Sequence, residues 1–224
     1  MSRPAADPLP RSTYRHGDLR RALLDAGLAL AREGGPDAVA LREVTRRAGV
    51  VPNAAYRHFA NHGELLQAVR AEALAAVARS MERELDGVPA LGARARPGGP
   101  AAVEHARARL RAVGRGYLHY AWQEPGLFRI AFLRPNESSV ERDADPAKAG
   151  SSGLNPFQLL GAVLDGLVDV GVLPAARRPQ SEYIAWSAVH VLALLVTDGP
   201  LQIVSRAQAD AIGERLLDMV ERGL

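Results

Sequence analysis

The segment 41–59 constrains most strongly what this chain can fold into, because it contains two short helical patterns separated by a tight turn. One face of the first pattern is apolar and carries Leu41, Val44 and Ala48. Gly49 follows at a position where a helix end favours a left-handed residue. Pro52 suits the first turn of the next helix, where its missing N–H would have no partner. The sequence therefore predicts helices over about 41–48 and 52–59.

A longer helix is predicted before this segment, over about 17–33, and a Gly-Gly-Pro sequence at 34–36 ends it. Its apolar face carries Leu19, Leu23, Ala26 and Leu30. Three helices of these lengths suit a helix-turn-helix arrangement, in which the first braces the unit, the second crosses a DNA backbone and the third enters the major groove. We therefore predict a helix-turn-helix DNA-binding domain at residues 15–62, preceded by a flexible arm at residues 1–14.

The distribution of charge agrees with this interpretation. Residues 1–62 carry 10 arginines and 6 acidic side chains, whereas residues 63–224 carry 18 basic and 19 acidic side chains. The net charge of +3 therefore comes from the N-terminal quarter of the chain. Such an asymmetry suits a module that faces a polyanion and is attached to a neutral body, although a solvated basic face would give the same count.

Residues 63–224 also show helical periodicity, interrupted by two stretches that are rich in helix-breaking or polar residues. Asn61 and Glu64 have the form of a capping box at the start of the first of these helices. Further helices are predicted over about 63–85, 101–123, 126–133, 156–170, 180–197 and 206–222. The stretch 87–100 is predicted to be a loop, and 134–155 a disordered loop. The predicted fold class is all-α, a three-helix N-terminal module followed by a C-terminal helical bundle.

Several functional classes lack the residues that they need. The chain has no cysteine, which excludes disulfides and cysteine-based zinc sites. Its longest apolar run, about 184–196, is too short to span a bilayer, which needs about 20 residues. The N-terminus lacks the apolar stretch of a signal peptide, so we expect a cytoplasmic protein with no membrane partner.

An enzyme is the main alternative, and the sequence does not favour it. His58 and His62 have the spacing of metal ligands on one helix, but Asn61 is a predicted helix cap between them and no carboxylate pair supports a metal. The GSSG sequence at 150–153 is not a nucleophile elbow, and no glycine-rich phosphate loop is present. We therefore expect no catalytic residue, no metal and no cofactor. An architectural DNA-binding protein would not need so large a neutral body, and a membrane-surface protein would need a basic amphipathic stripe.

The N-terminal module resembles the TetR family of bacterial regulators over about residues 15–70. The resemblance rests on the spacing of Leu41, Arg42, Val44, Ala48, Gly49, Val50, Tyr56, His58, Phe59, Glu64 and Leu65. It implies DNA contacts from Arg42, Pro52, Asn53, Tyr56, Arg57, His58 and His62. Asn53 is expected at a base edge, and Tyr56 and His58 mainly at phosphates. We expect Phe59 in the hydrophobic core, which is also the alternative position for Tyr56.

Three residues depart from the family pattern. His62 occupies the place of a phosphate-binding lysine, and its contact would depend on pH because a neutral imidazole carries no charge. Val51 stands where the family usually has a serine that caps the third helix, and Ala40 stands where a serine or threonine often caps the second. Each departure concerns a single contact and leaves the motif itself in place.

A second, weaker resemblance concerns the C-terminal body. The segment 117–132, followed by Trp186 and His190, is similar to the ligand-binding domain of a TetR subfamily with a Trp-His-Gly signature, although Val191 replaces the glycine. The resemblance implies a pocket lined by Tyr117, Tyr120, Phe128, Phe132, Trp186 and His190. An aromatic core at helical spacing is the alternative interpretation for each of them.

The family resemblance implies a ligand-responsive transcriptional regulator, and by the family's default a repressor. Residues 63–224 would sense a small-molecule effector, and the last two helices would form a homodimer that binds a pseudo-palindromic operator in double-stranded DNA. The first of these helices is apolar nearly all round, with Ile184, Val189, Leu192, Leu195 and Val196. Because few candidate pocket residues are charged, we expect a mostly apolar or aromatic effector.

Overall fold

The computed structural model describes residues 16–133 and 145–224, and within these ranges every regular element is a helix. The α-helices are α1 (His16–Gly34), α2 (Leu41–Arg47), α3 (Pro52–Ala55), α4 (His62–Asp86), α5 (Pro100–Gln123), α6 (Pro125–Ala131), α7 (Pro156–Asp169), α8 (Ser181–Thr197) and α9 (Arg206–Gly223). Short 3₁₀ helices lie at Pro36–Ala38, Pro146–Lys148, Ala175–Arg177 and Pro200–Ile203. The all-α prediction is confirmed, and the arm predicted at residues 1–14 lies outside the described ranges. None of the described helices is long and apolar enough to cross a membrane.

Helices α1–α3 pack around an apolar core that continues into α4. Leu23 of α1, Val44 of α2 and Phe59 after α3 are fully buried in it. Leu65 and Val69 of α4 are fully buried in the same core. The N-terminal module therefore shares its core with the long helix that follows it.

Helix α3 is shorter than the sequence predicts, because it ends at Ala55 and residues 56–58 form a turn. The N–H groups of His58 and Phe59 both donate to the carbonyl oxygen of Ala55, each at 2.9 Å. The fully buried ring of Phe59 points into the core, and α4 begins only three residues later, at His62. Helix α3 ends early because the chain must bury Phe59 and begin α4 within a few residues.

The predicted cap at the start of α4 is present in a modified form. The Asn61 side chain accepts the N–H of Glu64 at 2.9 Å, as the capping pattern predicts. The Glu64 carboxylate accepts the N–H of Ala60 at 2.6 Å rather than that of Asn61. These two hydrogen bonds guide the chain directly from the turn after α3 into α4, which is 25 residues long.

Helix α5 is the centre of the body, where it packs against α4, α7, α8 and α9. Gly116 allows α4 and α5 to approach closely, since a Cβ at this position would lie 2.6 Å from backbone atoms of Ser80 and Met81. Gly126 has a similar role in α6, where a Cβ would lie 2.3 Å from the carbonyl oxygen of Ala31 in α1. Helix α6 therefore lies directly against the N-terminal module.

The loop predicted to be disordered is partly ordered. Residues 145–155 form a 3₁₀ helix and a turn on α4, whereas residues 134–144 lie outside the described ranges. The Glu82 carboxylate accepts the N–H groups of Ser151 and Ser152, both at 2.8 Å, and the Ser152 hydroxyl at 2.6 Å. Partial burial acts to raise the pKa of Glu82, but these hydrogen bonds outweigh it and hold the pKa below its ordinary value. Polar hydrogen bonding thus orders a segment that has few apolar residues.

Removal of this carboxylate should cost measurable stability. We expect Glu82→Ala to lower the free energy of unfolding by about 1–2 kcal/mol, because three hydrogen bonds to a half-buried carboxylate are lost. Urea unfolding followed by circular dichroism measures the change. Glu104→Ala is the control, because the exposed Glu104 forms an ion pair with Arg111 within α5 and anchors no loop in the described part of the chain. Equal losses in the two variants would contradict an anchoring role for Glu82.

Candidate functional site

Helix α3 and the turn after it have one face in the core and one in solvent. Ala55 and Phe59 are fully buried and fix the orientation of this short element. The exposed residues on the other side include Pro52, Asn53 and Arg57. Tyr56 is also exposed, over 53% of its surface, so it does not belong to the hydrophobic core. Together with Arg42, these four exposed residues form the reading surface of the protein.

The reading surface contains two arginines that are available to an anion. Arg42, the second residue of α2, and Arg57 are exposed and form no ion pair within the described ranges. The neighbouring arginines are paired with acids, Arg46 with Glu43 and Arg47 with Glu33. The unneutralised positive charge of α2, α3 and the turn after α3 is therefore concentrated at Arg42 and Arg57.

The two predicted DNA-binding histidines have different environments. His58 is half-buried at the end of the turn after α3. The Nε2 of His62 lies 2.5 Å from the carbonyl oxygen of Val39, and it is the donor because a carbonyl can only accept. This hydrogen bond ties the start of α4 to the segment between α1 and α2. In the described part of the chain, no group of three side chains could hold a metal ion.

Five of the six residues predicted to bind a ligand lie together in the body. They form what we call the aromatic cluster: Tyr117 of α5, Phe128 of α6, Phe132 just after α6, and Trp186 and His190 of α8. Ring centroids are 4.8 Å apart for Phe128 and Phe132, and 5.2 Å apart for Trp186 and His190. Tyr117 and Phe128 are buried, whereas the other three are half-buried. The cluster therefore joins three helices and has one side that is accessible to solvent.

Hydrogen bonds connect three residues of the cluster. The indole N–H of Trp186 donates to the hydroxyl oxygen of Tyr117 at 3.0 Å, and this oxygen lies 2.7 Å from Nδ1 of His190. Burial raises the pKa of Tyr117 well above its ordinary value and lowers the pKa of His190 below its own. Both groups are therefore neutral near pH 7, and the cluster carries no formal charge.

Tyr120, the sixth predicted residue, is not brought into the cluster. It is buried near the ion pair that joins Arg32 of α1 to Glu124, in which Nε and Oε2 are 2.7 Å apart. Its hydroxyl has no hydrogen-bond partner in the described part of the chain, and burial raises its pKa. The family resemblance grouped Tyr120 with Tyr117, but residues three apart on one helix do not need to meet the same neighbours.

Phe157 borders the cluster, although sequence reasoning missed it. Its ring centroid lies 6.4 Å from that of Trp186 in a T-shaped arrangement, and 5.5 Å from that of Tyr183. It is the second residue of α7 and lies between Asn155 and Gln158, the two residues of a capping box. The available signal was an aromatic residue in the first turn of a strongly capped, apolar helix.

The outer faces of α8 and α9 expose large apolar side chains. Ile184 and Val191 of α8 are exposed over 63% and 54% of their surfaces, and Met219 of α9 over 61%. Val189 and Leu192 belong to the same apolar helix but are buried within the body. The expected apolar character of α8 on both sides is therefore present, with an inner packed side and an outer exposed side.

Together, the fold and the reading surface define a regulator of the helix-turn-helix class with an all-helical body. Residues 23–69 match the family model described as bacterial regulatory proteins, tetR family. Residues 110–220 match the model described as tetracyclin repressor-like, C-terminal domain. The two matches do not overlap and together cover most of the chain. The chain belongs to the TetR family of bacterial transcriptional regulators, whose members bind DNA and small ligands.

Solved structures share this fold over nearly their whole length. A protein of unknown function from Rhodococcus sp. RHA1 is 23% identical, with 96% of this chain and 99% of the other covered and a TM-score of 0.70. FadR from Bacillus subtilis, in complex with stearoyl-CoA, is 13% identical, with 91% and 98% covered and a TM-score of 0.55. A TetR variant from Acinetobacter baumannii AYE, in complex with minocycline, is 20% identical, with 90% and 93% covered and a TM-score of 0.52. No curated protein matches the chain.

The lowered pKa of His190 should make stability depend on pH. Neutral His190 contributes its full stability above the ordinary histidine pKa of about 6.5, and less as the pH falls below it, because the unfolded chain binds the proton first. We expect the thermal midpoint to fall between pH 7.5 and pH 5.5, and to fall less in His190→Asn. His105→Asn is the matched control, because His105 lies on α5 outside the cluster. If His190→Asn and the wild type show the same pH dependence, the lowered pKa of His190 is not the cause of that dependence.

Proposed function

We propose that this chain is a ligand-responsive transcriptional repressor, which binds a pseudo-palindromic operator as a homodimer and releases it when a small-molecule effector binds. The observation that carries the proposal is the reading surface, where Asn53, Tyr56 and Arg57 face solvent while Ala55 and Phe59 hold α3 from behind. A short helix that presents polar residues from a rigid core suits insertion into the major groove. A protein with this role would work in the cytoplasm, where the DNA is.

Some residues of the reading surface would position the protein on the DNA backbone, and others would recognise the base sequence. Arg42 and Arg57 have no acidic partner in the described part of the chain and would contact phosphates, which makes affinity dependent on salt. The hydroxyl of Tyr56 would meet a phosphate, and the amide of Asn53 would read a base edge. Pro52 would hold the start of α3 close to the groove without using a donor of its own.

The two histidines would make smaller contributions to DNA binding. His58 is half-buried, so only part of its ring can reach a phosphate. The Nε2–H of His62 already donates to Val39, and a phosphate would have to compete with that carbonyl. His62 would therefore act mainly by fixing the first turn of α4 to the domain at residues 15–62.

The exposed apolar faces of α8 and α9 support a homodimer. Side chains as large as Ile184, Val191 and Met219 are costly to leave in water, and a second copy that packs on α8 and α9 could cover them. A two-fold dimer that binds one operator must present its two reading surfaces to the same side of the DNA. Successive major grooves lie about 34–36 Å apart, which sets the separation that the dimer would need.

The effector would bind at the aromatic cluster and act through α6. Phe128 and Phe132 bring α6 into the cluster, while Gly126 of the same helix lies against the backbone of α1. At the end of α6, Arg70 of α4 donates its Nε–H to the carbonyl oxygen of Leu133 at 3.1 Å. Displacement of Phe132 would thus reach both α1 and α4. The effector would lower DNA affinity only as far as it prefers the displaced arrangement.

The first test is DNA binding by the purified protein to fragments from around its own coding region, at several salt concentrations. Tight binding to one fragment with a steep salt dependence would support a sequence-specific regulator, and footprinting would then give the half-site spacing. Binding to no fragment even at low salt would contradict the proposal.

Asn53 and Tyr56 should differ in the kind of effect that their replacement has on DNA binding. We expect Tyr56→Phe to weaken binding to every sequence by about 1 kcal/mol, because one phosphate hydrogen bond is lost. We expect Asn53→Ala to relax the preference at one base position. Binding to a set of operators, each with one base pair changed, measures both effects. Arg83→Ala is the control, because Arg83 is exposed near the far end of α4. A uniform loss in Asn53→Ala would contradict base readout.

A charge in the exposed face of α8 should break the dimer. We expect Val191→Glu to be monomeric in sedimentation velocity and to lose operator binding, because the interface would bury an unpaired carboxylate. Leu91→Glu is the matched control, since Leu91 is 42% exposed in the loop between α4 and α5. If Val191→Glu stays dimeric, the interface does not lie on this face of α8.

A further inference from the structure

The positions of the hydrogen atoms in the aromatic cluster follow from the donors available. The indole N–H of Trp186 can only donate, so the Tyr117 oxygen accepts it. The hydrogen of the Tyr117 hydroxyl then needs an acceptor, and Nδ1 of His190 is at 2.7 Å. If Nδ1 carried a hydrogen instead, the buried hydroxyl would have no acceptor among the described residues. The geometry therefore places the single hydrogen of the neutral imidazole on Nε2.

This Nε2–H group has no protein partner in the described part of the chain. His190 is half-buried, as are Phe132 and Trp186, whereas Tyr117 and Phe128 close the inner side of the cluster. The accessible part of the cluster thus belongs to the rings of Phe132, Trp186 and His190 and includes one N–H donor. Aromatic rings suit contact with a flat apolar molecule, and the donor suits a single acceptor atom on it.

The cluster is poorly suited to a charged molecule. Protonation of His190 would place a hydrogen on Nδ1 and remove the acceptor of the Tyr117 hydroxyl. Within the described ranges, the hydrogen bonds and ring contacts of the cluster involve no arginine, lysine or carboxylate. An anionic ligand would lose its hydration and gain no free cation in return, and a cationic ligand would find no carboxylate in the cluster.

We propose that the effector of this protein is a neutral, planar aromatic molecule that accepts one hydrogen bond from Nε2–H of His190 through a carbonyl or similar uncharged oxygen. The inference rests on the proposed function, in that the ligand of the cluster is taken to be the effector. It narrows the ligand class from apolar or aromatic molecules in general to those that carry one neutral acceptor.

The test uses sets of three probes with the same shape and different chemistry. Acetophenone, benzoate and ethylbenzene form one set, and the corresponding naphthalene and biphenyl compounds form two more. Binding is followed by quenching of Trp186 in the Trp122→Phe variant, which leaves Trp186 as the single tryptophan. In at least one of the three ring systems (benzene, naphthalene or biphenyl), we expect the ketone to bind at least about tenfold more tightly than the carboxylate and the ethyl compound. A good neutral hydrogen bond is worth about that factor.

Variants of His190 separate the hydrogen bond from the aromatic contact. In His190→Asn the side-chain carbonyl can still accept the Tyr117 hydroxyl, but no donor reaches the position of Nε2. We expect this variant to lose the preference for the ketone over the ethyl compound while it keeps its affinity for the ethyl compound. His190→Gln carries an amide N–H further along the side chain and should restore part of the preference. His105→Asn should behave as the wild type.

Several results would overturn the proposal. They are tighter binding of the carboxylate than of the ketone, equal binding of the ketone and ethyl probes, or no binding of the ketone in any of the three ring systems up to its solubility limit. Nitrogen NMR of the histidine side chains provides a check that needs neither a variant nor a ligand, and a hydrogen on Nδ1 of His190 would also overturn it. Release of operator DNA by a carboxylate would leave the proposed function intact and overturn this inference. Ketone binding with the expected preference but without any DNA release would support the ligand chemistry assigned to the cluster and contradict the proposed release of DNA by that ligand.

Discussion

Burial of α4 along its whole length is the constraint on which the rest of the molecule depends. Leu65 near its start is fully buried in the core of the N-terminal module, and Met81 near its end is buried in the body. Because protein interiors are close-packed, a shift at one end of such a helix cannot be absorbed locally. Arg70 and Glu82 add polar ties from α4 to either side of the connection between α6 and α7. Movement of α4 therefore changes the module and the body together.

Helix α6 provides a second and shorter connection between the two parts. It is only seven residues long, yet it packs on α1 and α4 and carries Phe128 into the aromatic cluster. The absence of a side chain at Gly126 brings its backbone against the end of α1, so the contact has little slack. A short helix wedged between a cluster of rings and a rigid module can move only if one of them gives way. In the proposed function, a molecule bound among the rings could therefore change the position of α1.

Helical periodicity was enough to predict the fold class and most of the helices, since apolar stripes and capping residues are local signals. It failed where distant contacts decide the structure. Helix α3 ends at Ala55 because Phe59 is drawn into a core that includes α4. The turn at residues 150–152 is ordered by Glu82, which lies about seventy residues earlier in the chain. The sequence also did not show that Tyr120 lies apart from the aromatic cluster or that Phe157 borders it, because residue order does not say which neighbouring helix a side chain meets.

The two candidate sites differ in how they use charge. The reading surface exposes Arg42 and Arg57 without acidic partners, whereas the aromatic cluster holds three polar groups in neutral states. Interactions with DNA phosphates weaken with salt, but binding of a neutral molecule to a neutral pocket does not depend on it in the same way. An uncharged effector cannot compete with DNA for the arginines or alter their field. In the proposed function, release of the operator must therefore come from a change of geometry, carried by α4 and α6.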